Sequence, residues 1–169
     1  MNNKATKYGL LAGIILVMVN LVLYAHHPRT MLNAGGYVGW GIHIFFIYLA
    51  GIALRNESSG QFPFQVAFKQ GWTVFVVASL FEALFAYVMF CFVDPSLAQV
   101  TKDIMVEWAE WGTSMSGADQ GKAIQDAKAI PLSDLELTPT KTLFSYAYRL
   151  LFPGAIFAAI VAAIIKREY

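Results

Sequence analysis

The sequence predicts an all-α, polytopic membrane protein, with four transmembrane helices and an amphipathic helical segment between helices three and four. Three observations predict it. Four apolar runs, Tyr8–Tyr24, Tyr37–Leu54, Trp72–Val93 and Leu143–Ile165, each approach or exceed the roughly 17–25 residues that cross about 30 Å of hydrocarbon as a helix. Of 169 residues, 57% are hydrophobic and only 14% charged, with a mean hydropathy of +0.54, so the chain carries fewer charges than a soluble domain of its size. Lipid offers the backbone no hydrogen bonds, so each amide must be satisfied within its own segment, which selects helices. The expected organisation is one membrane domain over 1–169, with helices at about 8–24, 37–54, 72–93 and 139–165 and an extracytoplasmic helical loop at about 94–138.

The first helix opens behind Lys4 and Lys7, a pattern that a signal peptide shares. The run is long, however, and ends in "YAHHPRT" without a small-x-small cleavage site, so it is read as a retained helix. Its Gly9-x-x-x-Gly13 pair lets a neighbouring helix come close, which matters in lipid because packing replaces hydrophobic drive. Helix two opens with "AGGYVGWGIH" and carries a second small-residue face through Gly35 and Gly39; helix four repeats the habit at Gly154, Ala158 and Ala162. Tyr24, Tyr37, Trp40 and Trp72 fall near the expected interfaces, where amphipathic rings settle.

Between helices two and three, "RNESSGQFPFQVAFKQG" alternates Phe62, Phe64, Val66 and Phe68 with other residues, but Pro63 argues against a strand. An interfacial turn-back is expected. After helix three, Asp94-Pro95 supplies a cap and a proline at the first helical position. Leu97, Val100, Ile104, Trp108 and Trp111 then recur at three- and four-residue spacing, opposite Lys102, Asp103, Glu107 and Glu110. This predicts an amphipathic helix over Pro95–Trp111 on the membrane surface or a partner, ended or bent by Gly112 and Gly117. A weaker helix over Ala118–Ala129, an irregular "IPLSDLEL" and a Thr138-Pro139 start for helix four complete the chain.

Lys and Arg near the span ends set the expected orientation. With both termini cytoplasmic, that side holds Lys4, Lys7, Arg55, Lys69, Lys166 and Arg167, against Arg29 alone in the short outer loop. The segment from Asp94 to Thr142 holds Lys102, Lys122, Lys128 and Lys141 among eight Asp/Glu, and long loops weigh little in this rule. The single cysteine, Cys91, has no partner for an internal disulfide and reads as a packing residue. Neither a basic patch nor a nucleic-acid motif is present, so nucleic acid is excluded as a partner.

Three stretches carry a family resemblance: "KYGLLAGIILVMVNLVLY", "GQFPFQVAFKQGW" and "FVDPSLAQ", with "AAIIKREY" near the end. They resemble the family catalogued as domain of unknown function 4199, small membrane proteins found mainly in Bacteroidota, over nearly the whole chain. The resemblance implies a four-helix protein of a bacterial inner membrane. It brings no catalytic residues and no cofactor.

The candidate site begins with Glu82, a carboxylate in the middle of "VVASLFEALFAYVMFCF". Counting about 1.5 Å per residue from the outer end of each run puts Asn20, His43 and Arg149 at depths of roughly 6, 9 and 9 Å, and Glu82 at roughly 16 Å. Side chains lean toward the N-terminus of their helix, so Arg149 is expected to lean outward and Glu82 inward. Gly13, Tyr48 and Pro153 fall level with Glu82. Pro153 cannot donate to the Arg149 carbonyl, which a protonated Glu82 could then bind, with Tyr48 on the carboxyl. A carboxyl buried without a charged partner keeps its proton, so Glu82 is expected to be neutral. The candidate intramembrane polar site is therefore Glu82, Arg149, His43, Asn20 and Tyr48, and the candidate interface is Trp108 with Trp111.

No metal site is expected: His26-His27 lacks zinc spacing and His43 stands alone. No phosphate loop, nucleophile elbow or HExxH motif occurs. The residues best fit a non-enzymatic accessory or assembly subunit of an envelope membrane complex, with the lipid bilayer and either another membrane protein or further copies of itself as partners. A small oligomeric transporter or proton-coupled carrier using Glu82, His43 and Arg149 is the alternative; a lipid-modifying enzyme has no supporting motif.

Overall fold

The computed structural model describes residues 3–58, 61–116 and 120–166. Among them the chain is mostly helical, and four helical segments are long and apolar enough to cross a membrane: Lys4–His26, Pro28–Glu57, Phe64–Val93 and Pro139–Ile165. The predicted fold class stands.

α1 (Asn3–His26) and α2 (Pro28–Glu57) meet with one residue between them. His27 is extended, its Nδ1 accepts from the Arg29 amide at 3.1 Å, and Pro28 takes the first helical position, where a missing N–H costs nothing. This is what "HHPR" encodes. It also moves the start of α2 well ahead of the expected Tyr37, because "RTMLNAGG" is capable of helix though not apolar enough to read as a span.

α3 (Phe64–Val88) starts directly after Pro63 and ends in a wide turn, Met89–Val93. "FQVAFKQG" is therefore the first two turns of α3, not an interfacial turn-back, and Trp72 lies inside the helix instead of at its mouth. Phe62, just ahead of it, is buried in the core with Leu54, Val161 and Ile165.

α4 (Leu97–Ser116) passes through Gly112 without ending there; Gly117 and Ala118 lie outside the described residues. α5 (Gln120–Ala129) and a single turn, α6 (Leu132–Leu135), follow, so "IPLSDLEL" is less irregular than expected. Lys141 explains why that turn holds: its ammonium donates to the carbonyls of Ser133, Asp134 and Glu136 at 2.7, 3.1 and 3.3 Å.

The fourth span is not continuous. α7 (Pro139–Arg149) starts as expected, with Thr138 accepting from the Lys141 amide at 3.2 Å. It gives way to a wide turn, Leu150–Gly154, in which Phe152 is extended (φ −143, ψ 113) ahead of Pro153, and α8 (Ala155–Ile165) resumes. The residue before a proline is biased out of the helical region, and here that bias wins.

α3 is the axis of the bundle: α1, α2, α7 and α8 all pack on it, α2 also packs on α1 and α8, and α4 packs on α2, α5 and α6. Glycine sets the spacing. A Cβ on Gly13 would stand 2.7 Å from the Phe81 ring, and one on Gly71 2.8 Å from Ile47 Cγ2. The small-residue faces of α1 and α8 are thus occupied by α3 inside one chain.

Candidate functional site

Two glycines of α2 seat two polar side chains from neighbouring helices. Gly35 faces Asn20 of α1, whose Oδ1 would lie 2.6 Å from a Cβ there; Gly39, one turn on, faces Glu82 of α3, whose Oε1 would lie 3.0 Å from a Cβ. Any larger residue at either place would displace the polar group. Asn20 is otherwise satisfied by its own helix, donating to the Leu16 carbonyl at 2.8 Å. Asn20 and Glu82 occupy separate notches.

Around Glu82 the chain gathers two further groups. His43, one turn below Gly39, is 2% exposed and its Nδ1 lies 2.8 Å from the Gly39 carbonyl, a contact in which the nitrogen must donate. That assigns the proton to Nδ1 and leaves Nε2 as the free ring nitrogen. Nε2 is buried, has no hydrogen-bond partner, and points at Glu82 Oε2 at 3.7 Å. The Phe75 ring covers the imidazole, with centroids 4.5 Å apart. From the other side, Arg149 brings Nη1 to 3.6 Å from the same Oε2.

Both distances exceed a hydrogen bond; the attraction between Arg149 and Glu82 is electrostatic and acts in a medium that screens it poorly, while the bare Nε2 of His43 faces the same oxygen without donating to it. The Glu82 side chain is 16% exposed and that of Arg149 is 48% exposed. One carboxylate oxygen thus faces a histidine and an arginine together, while the other rests over glycine.

The expected hydrogen bond from Glu82 to a carbonyl freed by Pro153 is replaced by a different one. The carbonyl with a side-chain donor is that of Leu150, and its donor is Trp72, whose Nε1 lies 3.3 Å away. The Arg149 carbonyl instead sits where a Cβ on Gly154 would be 3.0 Å from it. The opposite leans of Arg149 and Glu82 were expected to widen the gap between them, yet the guanidinium stands beside Glu82. Its three methylenes span about one turn of offset, which the Cα lean cannot cancel. The argument for a neutral Glu82 needs the lack of a cationic neighbour, and that premise does not hold here. Tyr48 is exposed on a different face of α2 and does not join the cluster.

Other ties were not legible as a site. Tyr146 of α7 donates to the Val76 carbonyl of α3 at 3.0 Å, and Cys91 donates to the Leu137 carbonyl at 3.1 Å. A tyrosine or tryptophan inside an apolar span needs a partner for its polar end, which is the one signal that could have flagged Tyr146 and Trp72. At the ends of the spans, Tyr24 donates to Asp94 Oδ2 at 3.0 Å, and Arg29 pairs with Glu107. The hydroxyl of Ser96, then that of Tyr24, holds the Asp94 carboxyl below its ordinary range. Trp108 and Trp111 are both exposed.

The chemistry available is narrow: a carboxyl group, an imidazole with one free nitrogen and a half-open guanidinium, brought together by three helices. No curated protein and no solved structure matches the chain. A family model described as a protein of unknown function (DUF4199) matches residues 7–167, and the chain belongs to that family.

Proposed function

We propose that this is a non-enzymatic membrane subunit that assembles sideways with another membrane protein, docking on α7 at the level of Arg149. One observation carries the reading: Arg149 lies within a candidate membrane span and is satisfied on one side by Glu82, while about half of its side chain remains open. A cation at such depth is costly unless it faces protein, a polar group or the headgroups. Around it α7 buries none of its residues and leaves Leu143, Phe144 and Tyr148 exposed.

The partner this face fits is a transmembrane helix with an Asp or Glu at matching depth. A second copy does not supply one. Within the four spans the acidic residues are Glu57, at the end of α2, and Glu82, already engaged. The alternative to a protein is a lipid phosphate reached by snorkelling, and the test separates them.

Co-purification from native membranes tests the reading. A stoichiometric membrane protein should accompany the wild-type chain and be lost from Arg149→Ala, while Phe144→Ala weakens but keeps it. Recovery of lipid alone with both chains, or of an equally abundant partner with Arg149→Ala, would sink it.

A second reading, a proton-coupled carrier formed by several copies, is favoured by the orphaned Nε2 of His43 aimed at Glu82. The two readings part at Glu82→Gln. A subunit keeps its partner, because size and polarity are preserved; a carrier folds normally and loses pH-dependent uptake into proteoliposomes.

A further inference from the structure

α4 carries an apolar stripe whose two halves have different fates. Leu97, Met105, Trp108, Trp111 and Met115 share one side of the helix at 100° per residue. Leu97 is fully buried, packed with Met31 of α2 and Met89 at the end of α3. Further along, the same stripe opens steadily: Met105 is 37% exposed, Trp108 53%, Trp111 64% and Met115 71%.

The cause is where the helix runs. Its root lies at the end of α3, and at mid-length Glu107 pairs with Arg29 at the start of α2. α4 therefore crosses the end of the bundle from α3 to α2, and the turns beyond Glu107 overhang it. The opposite side of α4 is covered: α5 packs on no other helix, and Thr113 of α4 and Ala127 of α5 are buried. The stripe faces the same way as Leu97, toward the bundle end and the plane around it.

We propose that the distal half of α4 is an interfacial paddle whose ligand is the headgroup–acyl boundary of the bilayer, held by apolar and aromatic contact. Continuity names the occupant. Phe92 and Val93, the last residues of the third span, are exposed just before the α4 root, which puts that root at the end of the apolar span. Asp94 and Tyr24, bonded to each other there, mark the polar side of that boundary. Tryptophan and methionine suit such a surface: the indole spans the apolar and the wet, and the thioether fills irregular gaps. The charges flanking the stripe are mainly acidic, Asp103, Glu107 and Glu110, so anionic headgroups add no attraction. The paddle is independent of any partner at Arg149.

Spin labels at Met115→Cys and Lys128→Cys, each in a Cys91→Ala background, test this with the whole chain in phosphatidylcholine nanodiscs. The label at 115 should be several-fold less accessible to a water-soluble nickel chelate than the label at 128, and more accessible to oxygen. Adding phosphatidylglycerol should leave both unchanged. Equal nickel accessibility at the two sites would overturn the proposal. So would protection at 115 that needs the anionic lipid, that appears only in native vesicles, where a protein would be the occupant, or that comes with spin–spin broadening removed by unlabelled chain, where a second copy would be. Because Cys91 contacts Leu137, quenching of the native protein by lipids brominated near the headgroup provides a check without cysteine changes. Trp108→Phe with Trp111→Phe should remove the component quenched from that depth, and an unaltered quenching profile would also overturn the proposal.

Discussion

The two halves of the fourth span, α7 and α8, sit on the same helix α3 and differ in how they are held. α8 buries Ala158, Val161, Ala162 and Ile165 and packs on α2 as well as α3. Ile165 reaches over Gly51, where an added Cβ would lie 2.1 Å from its Cδ1. α7 buries none of its residues, packs on α3 alone, and is held by polar ties: Tyr146 to Val76, and Arg149 toward Glu82, with Trp72 bound to Leu150 just beyond it. Between them Phe152 breaks the helix. Shape complementarity among small residues makes one half architecture. The other half is attached by a few directional contacts and presents its face outward, which is where a partner would dock.

That contrast breaks most visibly at the glycines. Gly71→Val puts branched carbon where Ile47 and the Ala158 backbone already stand, and should destabilise the detergent-solubilised protein by about 1–3 kcal/mol or prevent its accumulation. Phe144→Ala, on the open face, should stay within about 0.5 kcal/mol by the same thermal assay. Comparable losses at both positions would mean that α7 is packed as tightly as α8.

A second substitution sharpens the polar half. Glu82→Ala removes the carboxylate that faces His43 and Arg149 and should cost about 1–3 kcal/mol, whereas Glu82→Gln should recover most of it. Tyr146→Phe deletes one hydrogen bond to Val76 and should cost about 0.5–1.5 kcal/mol, loosening α7 without affecting α8. Hydrogen exchange read separately over the two helices would show it, and equal acceleration in both would contradict the division.

The smallest effect lies at the α4 root. The Asp94 carboxyl is held below its ordinary value of 3.8 by Ser96 and Tyr24. Because the folded form prefers the charged group, its stabilisation is present above the ordinary carboxylate range and fades as pH falls through the lowered value. A probe on α4 should gain mobility only toward strongly acidic pH, and Asp94→Asn should remove that pH dependence.

The spans were readable because lipid imposes one rule on every buried amide, and the runs from Tyr8 to Ile165 obey it. Boundaries were less so: Pro28 and Phe64 begin helices whose first turns are too polar to register as apolar runs, yet helix formation does not require apolarity, with His27 capping the first and Pro63 setting an extended start for the second. Of the candidate site, Glu82, His43 and Arg149 were identifiable by being ionisable in apolar surroundings, and Gly39 by its spacing from His43. Their mutual arrangement was not. Depth counted along the helices misses the reach of an arginine side chain, and Tyr48 was placed by level alone, although its face of α2 turns away. Trp72 appeared interfacial because α3 was begun two turns late.

The central claim is that α7, and not α8, is the docking face. Photocrosslinking in native membranes tests it most directly, with benzoyl-phenylalanine replacing Phe144 on α7 or Ile164 on α8, both exposed. Position 144 should trap one membrane protein, in an adduct that Arg149→Ala abolishes, while position 164 traps lipid. Lipid adducts alone at both positions, or the same protein at both, would contradict it.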